Sequence, residues 1–533
     1  MRLDDWFLTL EERGNPFSAI DAAGRSSDAW TEGNDVSVLI DGESYFSRLV
    51  QEVTTLEPGD QVRFTDWRSD GDERLVEGGP TVRSLVVETS RRGVDVRGLL
   101  WRSHSDRFSF SAKQNRRFAT EVTEAGGQVL LDERVRRGGS HHQKAVLVRH
   151  TNSPELDVAF IGGIDLCHGR RDNARHRGNV QAITLDKRYG ARPPWHDVQL
   201  AVRGPAISDL DLTFRERWED PTPLNYASLA LSWTSRIMSR DRIAGKLPAP
   251  LGDPPEAGGH AVQVLRTYPA RRPAYPFAPS GERSVARAFA KAVARARTLI
   301  YIEDQYFWSL EIAEILASAL RRQPQLQLIA VVPRFPDMDG RLSGPPSRLA
   351  QARSLALVKA AGGSRVGIYD VQNQLGTPIY VHAKVCVIDD VWATVGSDNL
   401  NRRSWTHDSE LSCAVLDSER DSREPLDPGG LGDGSRTFAR DLRLTLWAEH
   451  LGYPRDDPAL LPLAGSTRLW EAAARERVRD DEQVDDVVRS PSRVRAHDVT
   501  PVSRASRWWA QIAYHLIFDP DGRPLALRLR HRF

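Results

Sequence analysis

The 533-residue chain is poor in cysteine, carries almost no net charge and contains no long apolar run. Its three cysteines, Cys167, Cys386 and Cys413, are irregularly spaced, which excludes a disulfide framework and a cysteine zinc site, so we expect buried thiols. A net charge of +1 excludes a purely electrostatic nucleic-acid binder. With 40% hydrophobic and 27% charged residues, the composition is that of a globular protein and excludes disorder throughout.

Membrane-spanning and secretory signals are also missing from the sequence. No apolar run approaches the ~18 residues that a membrane-spanning helix needs. The first residues, MRLDDWFLTLEERGN, are acidic and lack the basic and then apolar order of a signal peptide. We therefore expect a cytoplasmic protein, which is able to act peripherally at a membrane surface.

Lysine is scarce, because only seven of the 73 basic residues are lysine and the others are arginine. A chain that uses arginine for general charge retains lysine where a compact ammonium group on a flexible stem is needed. Two of the seven lysines, Lys144 and Lys384, occur in a repeated motif.

An internal repeat relates residues 118–148 to residues 353–388. Each copy has a helical pattern that ends in Ala-Gly-Gly, then a short strand, a polar loop and a His-x-Lys motif that opens an apolar strand. A second short strand follows each motif and ends in two small residues. The paired features are His142-Gln143-Lys144 with His382-Ala383-Lys384, and Gly162-Gly163 with Gly396-Ser397.

The alternation of strands and helices in both copies predicts an α/β fold. We expect two pseudo-symmetric mixed-sheet lobes with the active site at their interface. The predicted domains are a first lobe over 1–220, a connecting segment over 221–260, a second lobe over 261–450 and a C-terminal extension over 451–533. Within the extension, Trp508 and Trp509 are interpreted as packing residues and not as a membrane anchor.

Two converging His-x-Lys motifs have a clear chemical use. In extended backbone, residues i and i+2 point to the same side, so each histidine projects together with its lysine. Convergence of the lobes would place the imidazoles of His142 and His382 and the ammonium groups of Lys144 and Lys384 around one volume that suits a phosphate. One neutral imidazole can attack phosphorus, and the other can protonate the leaving alcohol.

The two histidines need opposite protonation states at one pH, which neighbouring carboxylates can set. Two candidates follow the motifs. Asp197 lies in Trp195-His196-Asp197, and Glu410 lies in Asp408-Ser409-Glu410, and each begins a later strand pattern.

At these residues the sequence resembles the phospholipase D superfamily, whose mark is two H-x-K-x(4)-D motifs. The second copy matches fully with His382, Lys384 and Asp389, and the run from Gly396 through Ser397 and Asn399 is similar to the G-S-x-N stretch of the family. The strings HHQK, GGIDL, GR-x-D, WHDV and YIEDQYF are similar to the plant-type and animal-type phospholipases D. The resemblance covers most of residues 40–450.

The resemblance implies a phospholipase D-type phosphodiesterase that works through a phosphohistidine and needs neither metal nor cofactor. By analogy, His142 attacks the phosphorus of a glycerophospholipid at a membrane surface, and His382 protonates the departing head-group alcohol and then activates water, which releases phosphatidic acid. An alcohol in place of water would give transphosphatidylation. The pseudo-symmetry leaves the reverse assignment of the two histidines open.

The resemblance also implies roles for the neighbouring residues. Asp197 is expected to orient His142, and Glu410 to orient His382. Lys144, Lys384 and Asn399 are expected to hold the phosphoryl oxygens. Gly163, Asp165 and Ser397 complete the predicted substrate site.

The first motif departs from the family pattern, because Arg149 occupies the place of the motif aspartate. Asp157 is a candidate replacement for that aspartate. Since the aspartate of the family lies at a strand end, the departure concerns local structure more than chemistry.

Three other functions compete with the phospholipase reading. They are a phosphatidyltransferase of the cardiolipin-synthase kind, a superfamily nuclease and a degenerate scaffold without activity. The near-neutral charge argues against a nuclease, so no nucleic-acid partner is expected. Both active-site halves lie in one chain, so we expect a monomer.

Several histidines and aromatic residues remain after these assignments. Irregular spacing and arginine-rich surroundings argue against a zinc site made from His104, His150, His168, His176 and His196. Strand ends in equivalent places of the repeat should face the cleft, which makes Trp67, Tyr306, Phe307 and Trp308 candidates for substrate contact or core packing.

Overall fold

The computed structural model describes residues 1–22, 29–101, 112–224, 244–337, 343–482, 491–499, 502–530 and 533. Residues 225–243, which make up nearly half of the predicted connecting segment, lie outside the described residues, and so does His104.

Eighteen strands are present in the described residues. They are β1 Thr31–Ile40, β2 Gln61–Asp66, β3 Asp95–Trp101, β4 Gln128–Asp132, β5 Ala145–Arg149, β6 Val158–Gly162, β7 Trp195–His196, β8 Val198–Arg203, β9 His260–Tyr268, β10 Glu282–Arg283, β11 Leu299–Glu303, β12 Gln327–Val331, β13 Val366–Val371, β14 Tyr380–Val381, β15 Val385–Ile388, β16 Trp392–Gly396, β17 Glu410–Asp417 and β18 Val494–Ala496.

The α-helices of the described part cover the sheet on both faces. They are Leu10–Arg13, Ala19–Ala22, Asp41–Thr54, Val82–Arg91, Ala112–Glu124, Ala206–Trp218, Ser284–Arg295, Leu310–Arg322, Gly344–Gly362, Arg402–Thr406, Thr437–Leu451, Ser466–Glu482, Arg504–Ala513 and Leu525–Leu529. None of these helices combines the length and the apolar character that a membrane crossing requires.

The strand order repeats itself, which confirms the α/β prediction of two related halves. The first half runs β1-β8-β6-β5-β2-β3-β4, and the second runs β9-β17-β16-β15-β11-β12-β13, with β18 added at its edge. In each half three strands are parallel, β2-β3-β4 and β11-β12-β13, and the others are antiparallel. The repeat seen in the sequence is therefore a repeat of topology.

The two halves share one sheet and one apolar cluster. Strands β1 and β9 pair antiparallel, with a register shift between Thr31 and Asn34. A single apolar cluster continues from Ile161 of β6 to Val395 of β16, so the halves bury side chains against each other. Cys167, Cys386 and Cys413 are buried free thiols, as predicted.

Both ends of the chain pack against the second half. Trp6, Phe7 and Leu8, which the sequence analysis places with the first lobe, lie in the apolar cluster that contains Phe289 and Ile302. Strand β18, from the predicted C-terminal extension, pairs antiparallel with β13.

The structure shows what surrounds Arg149, which occupies the place of the motif aspartate in the first half. In the second half, Asp389 accepts hydrogen bonds from the backbone N–H groups of Arg297, Thr298 and Leu299, which tie the end of β15 to the start of β11. In the first half, Asp157 accepts from Nε of Arg149 (2.6 Å) and from the backbone N–H of His150 (2.6 Å). Asp157 therefore neutralises the buried Arg149 and does not reproduce the strand-tying role of Asp389.

The interpretation of Trp508 as a packing residue is wrong. Its side chain is 77% exposed, and Trp509 is half-buried. The helix Arg504–Ala513 instead packs through Ala510, which is fully buried, and its continuation packs through Tyr514.

Candidate active site

The two His-x-Lys motifs lie in short extended segments that lead into equivalent strands. His142 and Lys144 precede β5, and His382 and Lys384 precede β15. Burial and the charges of Lys144 and Lys384 lower the pKa of the His142 imidazole, and both lysines also act on His382. The fold therefore brings the two motifs to one place, at the junction of the halves.

Each motif histidine is held by a carboxylate of the opposite half. The Nδ1 atom of His142 lies 2.9 Å from Oε2 of Glu410, and Nδ1 of His382 lies 2.7 Å from Oδ2 of Asp197. The sequence analysis paired Asp197 with His142 and Glu410 with His382, and that pairing is wrong.

The crossed pairing follows from backbone contacts between the halves. Strand β14, which leads to His382, pairs in parallel with β7, which leads to Asp197. The backbone N–H of His382 donates to the carbonyl of His196 (2.8 Å), and that of His142 donates to the carbonyl of Ser409 (2.9 Å). Each motif therefore runs beside the carboxylate-bearing segment of the other half, an arrangement that no spacing within one repeat reveals.

A small residue lies beside each carboxylate, Gly163 beside Asp197 and Ser397 beside Glu410, and the two contacts differ. A Cβ atom on Gly163 would lie 2.0 Å from Oδ1 of Asp197, so this position accepts only glycine without displacing that carboxylate. At the equivalent position, Oγ of Ser397 donates to Oε2 of Glu410 (2.5 Å). Gly163 and Ser397 thus position the carboxylates of Asp197 and Glu410. The sequence analysis predicts a different role for them, namely contact with the substrate.

Both lysines fold back toward their own motif. Nζ of Lys144 donates to the carbonyl of His142 (2.8 Å) and lies 3.6 Å from Oδ1 of Asp165. Nζ of Lys384 donates to the carbonyl of His382 and approaches Oε1 of Gln305 (3.5 Å). Burial lowers the pKa of Lys384 to about 8. Two ammonium groups thus lie within one buried site that is able to compensate an anion.

The electrostatics favour neutral imidazoles at both motif histidines. Burial lowers the pKa of His142 well below its usual value, and Lys144 and Lys384 lower it further. Burial, Lys384 and Arg170 do the same to His382. A neutral imidazole whose Nδ1–H is held by a carboxylate presents the lone pair of Nε2, which is the form required of a nucleophile.

Asp165 and Asn399 occupy equivalent positions, each three residues after the end of a strand, β6 and β16. Oδ1 of Asp165 accepts from the backbone N–H of Trp67 (3.0 Å), and Oδ2 lies 3.8 Å from Arg170. Asn399 is buried, and among the described residues nothing forms a hydrogen bond with its Oδ1. The Oδ1 atom of Asn399 is therefore without a partner in the described part of the chain, whereas Asp165 is already engaged by protein groups.

Other groups of the site carried weaker signals in the sequence. The Trp195 ring packs against the His382 ring with centroids 4.9 Å apart, and the Arg170 guanidinium lies over the Trp195 ring, 3.9 Å from its centroid. Trp67 approaches the His142 ring edge-on at 6.5 Å. Arg170 belongs to the GR-x-D string quoted above, but only the fold shows that it acts on His382.

The other aromatic candidates are packing residues. Phe307 and Trp308 are buried, and Tyr306 stacks on Trp308 with ring centroids 3.9 Å apart.

A buried histidine–carboxylate cluster lies behind Asp197. Of the four histidines considered above that the structure describes, it includes His176 and His196. Nε2 of His176 lies 2.7 Å from Glu449, and Nε2 of His196 lies 2.8 Å from Glu303, which also contacts Nε2 of His450 (2.8 Å). Among the described residues, the two groups whose geometry could hold a metal ion are Asp41, His176, His196 and Glu449, and then His196, Glu303 and His450.

Protonated histidines can also balance the negative charge of the carboxylates in this cluster. Burial by itself would lower the pKa of His176, but Asp41, Asp172 and Glu449 outweigh it and raise that pKa to about 9. The cluster joins helix Asp41–Thr54 of the first half to helix Thr437–Leu451 of the second, and so fixes the segment that carries Asp197.

Two family models match this chain. Residues 72–312 match the model described as phospholipase D, and residues 289–423 match the model described as the phospholipase D-like domain of cardiolipin synthase.

Similar proteins include plant enzymes. The chain is 26% identical to phospholipase D gamma 1 of Arabidopsis thaliana, with 70% of this chain and 57% of that protein covered. It is 23% identical to phospholipase D alpha 2 of Oryza sativa subsp. japonica, with 77% and 64% covered. The chain thus spans somewhat more than half of the length of these relatives.

Among solved structures, the phosphatidylserine synthase of Haemophilus influenzae Rd KW20 aligns with 12% identity and a TM-score of 0.49. The alignment covers 72% of this chain and 82% of that chain.

Proposed function

Because this chain belongs to the phospholipase D superfamily, we propose that it is a phospholipase D-type phosphodiesterase that removes the head group of a glycerophospholipid. The observation that carries the proposal is the pair of imidazoles, each held at Nδ1 by a carboxylate of the other half. In the described part of the chain no hydrogen bond occupies Nε2 of either ring. Two such groups with two lysines suit a displacement at phosphorus in two steps.

In the first step, Nε2 of His142 attacks phosphorus, a P–N bond forms and the bond to the head-group oxygen breaks. His382 donates its proton to the departing alkoxide. A bound phosphodiester is an anion, and it favours the protonated form of a neighbouring imidazole, which opposes the effect of burial on the pKa of His382.

In the second step, His382 takes a proton from water as the water oxygen attacks phosphorus. The P–N bond breaks, phosphatidic acid leaves and His142 is free again. Lys144, Lys384 and the amide of Asn399 stabilise the charge that develops on the phosphoryl oxygens. If an alcohol replaces water, the same step gives transphosphatidylation.

The test is an assay of the full chain on phosphatidylcholine vesicles with added ethanol. We expect phosphatidic acid and phosphatidylethanol, and we expect both products to be lost in His142→Ala and in His382→Ala. His168→Gln is the matched control, because His168 lies outside the site and pairs with Asp72 (3.1 Å). Products that persist in either alanine variant would contradict the mechanism.

A second candidate is phosphatidyl transfer, which the match of residues 289–423 to the cardiolipin synthase domain favours. Incubation with phosphatidylglycerol alone distinguishes the two, since a transferase would form cardiolipin and release glycerol. Single-stranded DNA tests the nuclease alternative. If the wild type cleaves it and the alanine variants do not, a nuclease replaces the phospholipase as the proposed function.

A further inference from the structure

The C-terminal segment presents an apolar surface that the rest of the described chain does not cover. Six large apolar side chains between residues 508 and 529 are exposed, out of fifteen in the described residues. We call them the C-terminal apolar surface, and they are Trp508 (77% exposed), Ile512 (45%), Leu516 (72%), Ile517 (65%), Leu525 (69%) and Leu529 (73%).

Three of these residues lie on one face of a helix that packs by its other face, whereas Leu525 and Leu529 lie on the short helix Leu525–Leu529. Trp508, Ile512 and Leu516 are four residues apart, along helix Arg504–Ala513 and the helical turn Tyr514–Phe518 that continues it. On the other face Ala510 is buried, and the Tyr514 hydroxyl donates to the carbonyl of Trp308 (3.0 Å). The helix is therefore docked on the second half by this face, and Trp508, Ile512 and Leu516 lie on its exposed side.

The surface is attached to the elements that carry the active site. The backbone N–H of Arg403 donates to Oδ1 of Asp519 (2.6 Å), and that of Gly522 donates to Oγ1 of Thr406 (3.0 Å). Helix Arg402–Thr406 lies between Asn399 and Glu410 in the chain. Arg136, which precedes His142 by six residues, donates to the carbonyl of Gly522 (3.3 Å).

The exposed charged residues of the segment itself are of one sign. Arg504, Arg507 and Arg530 are exposed. The two carboxylates of the segment are engaged by protein groups, because Asp519 is buried beside Tyr514 and Arg403, and Asp521 pairs with Arg523 (2.7 Å). Exposed tryptophan and leucine beside arginine form the combination that binds the interface of an anionic bilayer.

We propose that the C-terminal apolar surface docks on an anionic phospholipid bilayer and presents the active site to the head groups. This inference rests on the proposed phospholipid substrate. It assigns membrane binding to a C-terminal segment that lies outside both His-x-Lys motifs. The apolar side chains enter the boundary of the acyl chains, and the arginines contact lipid phosphates.

Vesicle flotation of the full chain tests the proposal. The vesicles are phosphatidylcholine alone, or phosphatidylcholine with about one third phosphatidylglycerol. We expect wild type to float with the anionic vesicles, and Trp508→Ser/Leu516→Ser to bind at least about tenfold more weakly. Leu375→Ser is the matched control, because Leu375 is a 75% exposed leucine elsewhere in the fold and should leave binding unchanged.

Activity on a short-chain phosphatidylcholine below its micellar concentration separates the two proposals. The double variant should hydrolyse this monomeric lipid as wild type does, and this result also shows that it is folded. If wild type floats but hydrolyses no monomeric lipid, the proposed function fails and the docking surface stands.

Three results would overturn the docking proposal. They are vesicle binding by the double variant equal to that of wild type, an equal loss in Leu375→Ser, and a wild-type dimer that becomes monomeric in the double variant. The last result would mean that a second copy of the chain covers the surface.

Discussion

Each motif histidine is oriented through Nδ1, and the carboxylate that accepts this proton decides which ring nitrogen reacts. Glu410 acts on His142 and Asp197 acts on His382. Under the proposed mechanism, Glu410 therefore supports formation of the phosphohistidine, and Asp197 supports the proton transfers at the alcohol and at water.

A substrate whose leaving group needs no proton separates these roles. With phosphatidyl-p-nitrophenol, Glu410→Gln should slow the release of p-nitrophenolate by about 10³–10⁴, because the amide holds the wrong tautomer of His142. Asp197→Asn should retain a rapid burst approaching the enzyme concentration, followed by slow turnover. Stopped-flow absorbance measures both.

His168→Gln is again the control and should match wild type. The reverse pattern, with a burst in Glu410→Gln and none in Asp197→Asn, would make His382 the nucleophile.

The shifted pKa values of two groups in the site predict a narrow pH optimum of activity. Burial raises the pKa of Glu410 to about 8 and lowers the pKa of Lys384 to about 8. The carboxylate form of Glu410 is gained as pH rises toward about 8, and the ammonium form of Lys384 is lost above it. We expect kcat/KM, which reports the free enzyme, to peak near pH 8 and to fall on both sides.

Initial rates on monomeric short-chain lipid from about pH 6 to 10 measure this profile. A flat profile up to pH 9.5 would show that Lys384 keeps its proton in the free enzyme.

At the level of strands, the two halves differ in the contacts that hold the ends of the equivalent strands β5 and β15. Asp389 ties β15 to β11 with three backbone hydrogen bonds, at a residue with a positive φ of 51°. The first half has the ion pair of Arg149 with Asp157 at the equivalent strand end. The second half therefore depends on a single side chain at this strand end.

Asp389→Ala should lower the free energy of unfolding by about 2–4 kcal/mol, because three buried N–H groups lose their acceptor. Asp389→Asn should cost less, since an amide oxygen can still accept from Thr298 and Leu299 and asparagine tolerates positive φ. Urea unfolding of wild type and both variants measures the difference. Equal stability of alanine and asparagine variants would contradict the strand-tying role.

At the scale of the whole molecule, the halves are not independent bodies. They share one sheet through β1 and β9, one apolar cluster, and a site in which each half orients the histidine of the other. The loss of either half would leave the other with an exposed core and an unoriented histidine.

We therefore expect one cooperative thermal transition. Ile161 and Val395 occupy equivalent positions of β6 and β16, opposite Ala145 and Val385, and both are fully buried. Ile161→Ala should cost about 2–5 kcal/mol, and Val395→Ala somewhat less because fewer atoms are removed. In differential scanning calorimetry each variant should shift the whole transition. A second transition that stays at the wild-type temperature would show that the halves unfold separately.

The sequence by itself determined the local features of this protein. The repeat, the α/β class, the His-x-Lys motifs and the carboxylate candidates depend on composition, periodicity and spacing, which are properties of short segments. Only the tertiary structure decided which carboxylate holds which histidine, because that pairing depends on contacts between residues far apart in the chain. The exposure of Trp508 and the buried cluster around His176 and His196 have the same cause. Helix faces and charge clusters are defined by what packs against them, and the packing partners are far away in the sequence.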